Sequence, residues 1–259
     1  LAVASKGWFV YCNGRRDLPA FENRIEFRVK LIPYDGDDSW IEIGDDTIEI
    51  RCSTRRDGDF HLDGDRAALL HRRTAFAPGL WTQLDEVHGT AVLHVQQPGQ
   101  HDFEIGDAAV TSCRNALLSV WVGDCAPVVL YAADGALGAA HAGWRGALDG
   151  VLQATVAGMP SAPLAAVLGP CIHPCCYEFG AADLEAMEAR FGGRVRATTS
   201  WGTPALDMRE VVRAALGEVG VELDDRSLCT GCHPELFFSH RRRRDLGRQV
   251  MTISKRAAR

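Results

Sequence analysis

Leu117-Leu118-Ser119-Val120-Trp121-Val122 leads through Gly123-Asp124-Cys125-Ala126-Pro127 into Val128-Val129-Leu130-Tyr131. A turn at Gly135 follows, then Leu137-Gly138-Ala139-Ala140 and His141-Ala142-Gly143-Trp144-Arg145-Gly146. Short apolar runs bounded by Gly, Pro and Asp read as buried strands. Cys125 then falls at a strand end beside a proline, and His141 at the end of the next apolar run. Function concentrates where backbone leaves a rigid scaffold, and Gly143 and Gly146 permit tight turns or close backbone approach. A thiol and an imidazole on neighbouring strand ends can meet as nucleophile and base, or as two metal ligands. Taken alone, Cys125 reads as a small buried hydrophobe. His88, in Val87-His88-Gly89-Thr90 ahead of a strand-like run over residues 91–95, supplies a second imidazole. Two His and one Cys suit a catalytic zinc with one open position.

Outward from this stretch, Leu148, Val151, Leu152, Thr155 and Val156 repeat at helical spacing. They predict one helix to about Gly158 that covers a sheet face. Residues 164–168 read as a buried strand, and 181–191 as a helix with Leu184, Met187 and Phe191 inward. Asp207-Met208-Arg209-Glu210 has the form of a capping box; the helix it opens carries Val211, Val212, Ala215, Leu216 and Val219 and stops at Gly220. Residues 250–253 read as a last strand. Toward the N-terminus, Ile25, Phe27, Val29 and Leu31 alternate with polar residues over a strand at 24–32, and Asp35-Gly36-Asp37-Asp38 is a turn. Residues 40–43 and 47–50 suit a hairpin around Gly44-Asp45-Asp46. Asp107 reads most plainly as an Asx-turn, with orientation of a ligand histidine as its other reading.

At 259 residues, with 46% hydrophobic and 24% charged residues, the chain has the composition of an ordinary globular protein with a full core. Its net charge of −6 gives no general attraction to nucleic acid or to an anionic membrane. Arg241–Arg244 reads as a solvated loop. No apolar stretch has the length to span a bilayer, and residues 1–6 show no pattern of a secretory leader. Nine cysteines, an odd number, point to reduced thiols and a cytoplasmic setting. Strands and helices alternate without a Gly-x-Gly-x-x-Gly or a Walker loop, which leaves a nucleotide-cofactor fold unsupported. Cys229-Thr230-Gly231-Cys232 has zinc spacing, but Cys175-Cys176 is not spaced as a matching pair. Cys171, Cys175, Cys176, Cys229 and Cys232 are therefore expected as free thiols, with about one zinc per chain, the count for a single tetrahedral site.

Five segments follow one another in order. They are Val87-His88-Gly89, Gly123-Asp124-Cys125-Ala126-Pro127, His141-Ala142-Gly143-Trp144-Arg145-Gly146, Gly169-Pro170-Cys171-Ile172 with Cys176-Tyr177-Glu178, and Phe237-Phe238-Ser239-His240-Arg241-Arg242. Together they resemble the YfiH family, also called the multicopper polyphenol oxidase or laccase-domain family. Its members are described as purine nucleoside phosphorylases with adenosine deaminase activity. The likeness runs from about residue 50 to 253; any one motif alone would be weak.

The resemblance implies an α+β fold with one domain in α/β/β/α layers, mixed sheets face to face and helices on both outer faces. Residues 50–259 would form the catalytic domain, and residues 1–49 an N-terminal extension of strands packed on it. His88, Cys125 and His141 are implied as catalytic zinc ligands, with purine nucleosides (adenosine, inosine, methylthioadenosine) and phosphate as substrates. Arg55, in a Thr-x-Arg-like segment, and Arg145 are the candidates to hold phosphate. The segment around 237–242 is implied to lie close to the active-site surface. Two departures bear on substrate contacts: the loop at 60–65 is shortened, and Glu86 stands where the family has Gln. Two other classes stay open. One is copper-dependent phenol oxidation, which asks for many more His ligands than this chain groups together. The other is a metal-free hydrolase with Cys125 as nucleophile and His141 as base.

Overall fold

The computed structural model of the chain describes residues 46–257 and the strands Val29–Lys30 and Ser39–Ile43, with side chains over 47–256. In chain order the strands are β1 (Val29–Lys30), β2 (Ser39–Ile43), β3 (Asp46–Cys52), β4 (Leu80–Gln83), β5 (Val92–Val95), β6 (Ala108–Thr111) and β7 (Ala116–Val122). They continue with β8 (Ala126–Ala132), β9 (Leu137–Ala142), β10 (Pro163–Leu168), β11 (Arg196–Thr198), β12 (Pro204–Leu206), β13 (Glu222–Asp225) and β14 (Gln249–Ala257). The helices are α1 (Arg66–Phe76), α2 (Trp144–Asp149), α3 (Val151–Gly158), α4 (Ala181–Phe191), α5 (Met208–Glu218) and the short α6 (His240–Arg243).

Side-chain alternation along the central strands sets the layers. In β8, Val128 and Leu130 face one apolar cluster while Val129 and Tyr131 face another. A strand covered on both faces must be apolar at every position, which is why its run is unbroken. The cluster of Val129, Leu137, Ala139 and Val167 with Ile48, Leu118, Val120 and Ile253 lies between two sheets. One sheet has the order β1-β2-β3-β14-β7-β4 and the other β13-β10-β8-β9-β6-β5. Each mixes parallel and antiparallel neighbours: β4/β7 in the first, β10/β13 and β5/β6 in the second, are parallel. Helices α2 to α5 pack on the outer face of the second sheet through Ala147, Val151, Leu152, Leu184, Met187, Val212 and Leu216. Leu69 of α1 packs on the outer face of the first with Phe60, Trp81, Leu117 and Val250. This is the α/β/β/α arrangement expected. No described helix is long and apolar enough to cross a membrane.

Local differences have local causes. The single helix expected to Gly158 is two helices, because Gly150 takes a left-handed conformation (φ +95°) between α2 and α3. That backbone state favours glycine and ends a helix. Helix α5 has the Asp207 half of the expected capping box, Asp207 accepting from Arg209 N and Glu210 N, while Asp207 N donates to Val195 O at 2.8 Å and Glu210 turns to Arg213. The β2–β3 hairpin is present with Ile43 opposite Asp46, its Gly44 and Asp45 lying outside the described residues. Of the strand expected at 24–32 only β1 is described, paired with β2; the turn at 35–38 lies outside the described residues.

Candidate metal centre

The chain passes between sheets at one rim, and the candidate ligands lie at those passages. Strand β7 belongs to the first sheet and β8 to the second, so Gly123-Asp124-Cys125 is a crossing. Strand β9 returns antiparallel to β8, setting Pro127 opposite His141 and Ala126 opposite Ala142. His88 lies on the loop that crosses from β4 to β5, again between sheets. Asp107 precedes β6, and its carbonyl accepts from His141 N at 2.7 Å.

His88, Cys125 and His141 converge: one ligand atom from each lies within 4.8 Å of the others. Cys125 Sγ is 3.6 Å from His88 Nε2, and the two imidazoles meet edge to face with centroids 4.8 Å apart. His141 is 3% exposed, and its Nδ1 pairs with Asp107 Oδ1 at 2.9 Å. That bond leaves Nε2 as the nitrogen able to bind a metal, the usual carboxylate–histidine arrangement behind a ligand. The same carboxylate accepts from His88 N at 2.8 Å and Gly89 N at 2.7 Å. It thereby holds His88 at φ +63°, a conformation few non-glycine residues adopt. Asp107 is thus the acceptor for His141, a candidate ligand, and the plainer turn reading accounts for only part of its contacts.

Charge at the centre follows from burial and proximity. Burial pushes the Cys125 thiol up, but the charges and hydrogen bonds of His141 and His88 outweigh it and bring it to about 6. Burial disfavours a charged His141; Glu86, Cys125 and Asp107 nevertheless raise it well above the ordinary histidine value. Burial also acts on Asp107, and the bonds from His141, Gly89 and His88 hold it below the carboxylate range. Glu86 is pushed up to about 8, chiefly by burial. Its Oε1 accepts from Trp121 N at 3.0 Å, and its Oε2 lies 3.6 Å from His141 Nδ1.

The glycines of the His141–Gly146 segment make room for the His88 loop. A Cβ on Gly143 would meet His88 Cδ2 at 2.5 Å, and one on Gly146 would meet Gly89 O at 2.8 Å. Gly143→Ala is therefore expected to displace the His88 ring. Overpacking costs about 1–3 kcal/mol; expressed in the ligand geometry, that lowers metal affinity roughly 10- to 100-fold. Titration against a chromogenic zinc chelator reads this, and an unchanged affinity would separate His88 from the centre.

Around the ligands, Asp124 ties three segments together. Its carboxylate accepts from Thr230 Oγ1 (2.6 Å), Ser239 Oγ (2.7 Å) and Arg241 N (2.6 Å). The 237–242 segment therefore reaches this rim, as the family resemblance implies. Tyr177 lies among charged neighbours: burial raises its phenol, Cys125 and Asp124 add to this, and Arg241 and Arg145 oppose it. Arg145 is exposed, with its guanidinium 4.3 Å from the Trp144 ring centroid. Arg55 is ion-paired with Asp245, donates to Phe237 O at 2.9 Å and lies 4.4 Å from the Phe238 ring centroid. An open pocket of about 450 Å³ is lined by Cys176, Glu178, Phe179, Gly180, Trp201, Arg241 and Arg242. Asp124 and Tyr177 carried no separate sequence signal; each lies inside a quoted motif, Asp124 immediately before Cys125. A second group gathers Cys175, Cys176, Cys229 and Cys232, which spacing along the chain had argued against.

Three comparisons bear on this site. The profile of a family described as multi-copper polyphenol oxidoreductase laccase matches residues 54–256. A Xylella fastidiosa protein named purine nucleoside phosphorylase is 41% identical over 177 residues, 64% of this chain and 68% of its own. A Streptomyces griseus protein with the same name is 39% identical over 221 residues, 80% of this chain and 81% of its own. Among solved structures, a Neisseria meningitidis protein aligns with TM-score 0.72 and 25% identity over 83% of this chain and 96% of its own. YlmD from Geobacillus stearothermophilus aligns with TM-score 0.69 and 26% identity over 84% and 96%.

Proposed function

The chain belongs to the multi-copper polyphenol oxidoreductase laccase family, and from that membership we propose that it is a zinc-dependent purine nucleoside phosphorylase. Its substrates are adenosine, inosine and methylthioadenosine, and it also deaminates adenosine. The observation that carries this reading is the convergence of His88, Cys125 and His141 with Asp107 behind His141. The names of the relatives supply the substrate class. Two imidazoles and a thiolate form a donor set that fits zinc, with a fourth position open.

When bound, zinc supplies a Lewis acid and acidifies water at neutral pH, the chemistry that deamination of a purine ring requires. The chain's own groups do the rest. In phosphorolysis a phosphate oxygen attacks the sugar C1′ as the bond to the purine nitrogen breaks, and the base leaves with a proton. Phosphate needs fixed cations; Arg145, exposed in the first turn of α2 just after the His141 strand, and Arg241, whose N donates to Asp124 and whose guanidinium lies 4.8 Å from the Tyr177 ring centroid, are suited to hold it. Arg55, the other candidate, is ion-paired with Asp245, which competes with phosphate for its guanidinium. Phe179 and Trp201 offer the base aromatic surface in the adjoining pocket. Asp107 keeps the His141 proton on Nδ1.

Copper-dependent phenol oxidation draws less support. The groups able to hold metal among the described residues contain two imidazoles in all. The lowered Cys125 thiol also suits a hydrolase nucleophile, but His88 stands at 3.6 Å, where a metal ligand belongs. Chelation separates these readings, since a hydrolase keeps its activity without metal.

The test of the function is a panel of inosine, adenosine and methylthioadenosine with and without inorganic phosphate, read by chromatography. Release of free base only with phosphate is expected; no release from any nucleoside would end the proposal. Arg145→Ala is expected to lower kcat/KM for phosphate about 10- to 100-fold, matching the roughly 1.5–3 kcal/mol of a charge-assisted hydrogen bond. Bound metal should be unchanged, because Arg145 is not a ligand. Equal rates in variant and parent would remove Arg145 from the phosphate site.

A further inference from the structure

Cys175 and Cys176 lie on the turn Pro174–Cys176, and Cys229 and Cys232 on a separate turn more than fifty residues on. Their four sulfurs lie within 4.8 Å of one another. The separations are 3.4 Å for Cys175–Cys232 and Cys176–Cys232, 3.7 Å for Cys175–Cys229 and 3.9 Å for Cys175–Cys176. Four thiolates at about 2.3 Å from a tetrahedral zinc stand about 3.8 Å apart. A disulfide would require about 2 Å. We propose that Cys175, Cys176, Cys229 and Cys232 bind one structural zinc ion, separate from the His88–Cys125–His141 centre. This inference does not depend on the proposed function.

The surroundings are shaped for it. His173 N donates to Cys229 Sγ at 3.4 Å, an N–H···S bond of the kind that orients a metal-binding thiolate. Gly231 sits where a Cβ would meet Cys176 Cβ at 2.7 Å and its Sγ at 2.8 Å, so only glycine lets the two turns close on each other. Arg243, itself paired with Asp245 at 3.0 Å, donates to Gly231 O at 3.1 Å and Thr230 O at 3.2 Å and so braces the turn that carries Cys229 and Cys232. Cys176 and Cys229 are buried while Cys232 is exposed, which gives an ion a way in.

Four protein ligands fill a tetrahedron and leave no position for substrate, so the role is structural. The zinc would cross-link the 173–178 segment to the 229–232 turn. That turn carries Thr230, which donates to Asp124 beside Cys125, and Cys176 and Arg242 line the open pocket. The ion would therefore fix one wall of the candidate active site without entering it.

The test uses the unmodified chain purified anaerobically with reductant, its zinc counted and its sulfur ligands read by X-ray absorption at the zinc edge. Two zinc ions per chain with an average of about 2.5 sulfurs each are expected, four from one site and one from the other. Cys229→Ser with Cys232→Ser should leave one zinc with about one sulfur. One zinc bound by four sulfurs would uphold this site and contradict the other centre. One zinc with a single sulfur in the unmodified chain would overturn the proposal, whether or not the double variant folds.

Discussion

Cys125→Ser is expected to lower kcat/KM for purine nucleoside phosphorolysis by more than about 100-fold. The variant should also purify without metal at the His88–Cys125–His141 centre. Partners that merely orient a ligand are worth roughly 10- to 100-fold in metal affinity or activity, and a ligand itself is worth more. The thiolate supplies the one negative charge among three donors. Cys125 lies at a crossing on the rim rather than in the sheet core, so thermal stability should change little. Metal analysis, phosphorolysis rate and thermal midpoint measured on one preparation check this. Full turnover with full metal content in Cys125→Ser would remove Cys125 from the centre. A variant that keeps its metal but loses turnover would favour the nucleophile reading.

Asp107→Ala has the next largest expected effect, because one carboxylate serves three donors. Its loss removes the hydrogen bonds of His88 N and Gly89 N to a carboxylate, each worth about 1.5 kcal/mol as a bond to a charged group. A total of about 3 kcal/mol lowers the midpoint of a chain this size by roughly 6–12 °C. His88 is then free to leave its left-handed conformation, and His141 loses the partner that fixes its tautomer. Metal affinity should fall about 10- to 100-fold in addition. Asp107→Asn keeps one acceptor oxygen and should recover part of both losses. Calorimetry together with competition for zinc reads the two effects separately; Asp107→Ala with unchanged affinity would assign Asp107 to the loop alone.

The strands that carry the site were legible because burial on both faces leaves an uninterrupted apolar run, as in Val128–Leu130. The candidate triad was legible because Cys125 and His141 fall at the ends of neighbouring apolar runs, each within two residues of glycine or proline, and His88 stands before Gly89 and the next run. Helix α1 escaped because its inward face holds only Leu69 and Arg73 as buried residues. Arg73 is 2% exposed and paired with Asp102 and Gln83, so a core position carried a charge and broke the apolar stripe. The break at Gly150 escaped because its neighbours keep helical spacing and the apolar face continues across it. The four-cysteine group escaped for a different reason. Spacing along the chain marks a zinc site by two matched pairs, whereas the fold lays two adjacent cysteines against a Cys-x-x-Cys turn. In sequence, Asp124 stands out only as part of its motif and Glu86 only as a departure from the family; their partners are brought together by the crossing between sheets.

The most direct test of the central claim is anomalous scattering at the zinc edge from crystals of zinc-loaded chain that is active in phosphorolysis. A peak is expected about 2.0–2.1 Å from a ring nitrogen of both His88 and His141 and about 2.3 Å from Cys125 Sγ. Active protein with no anomalous density within reach of these three side chains would contradict it.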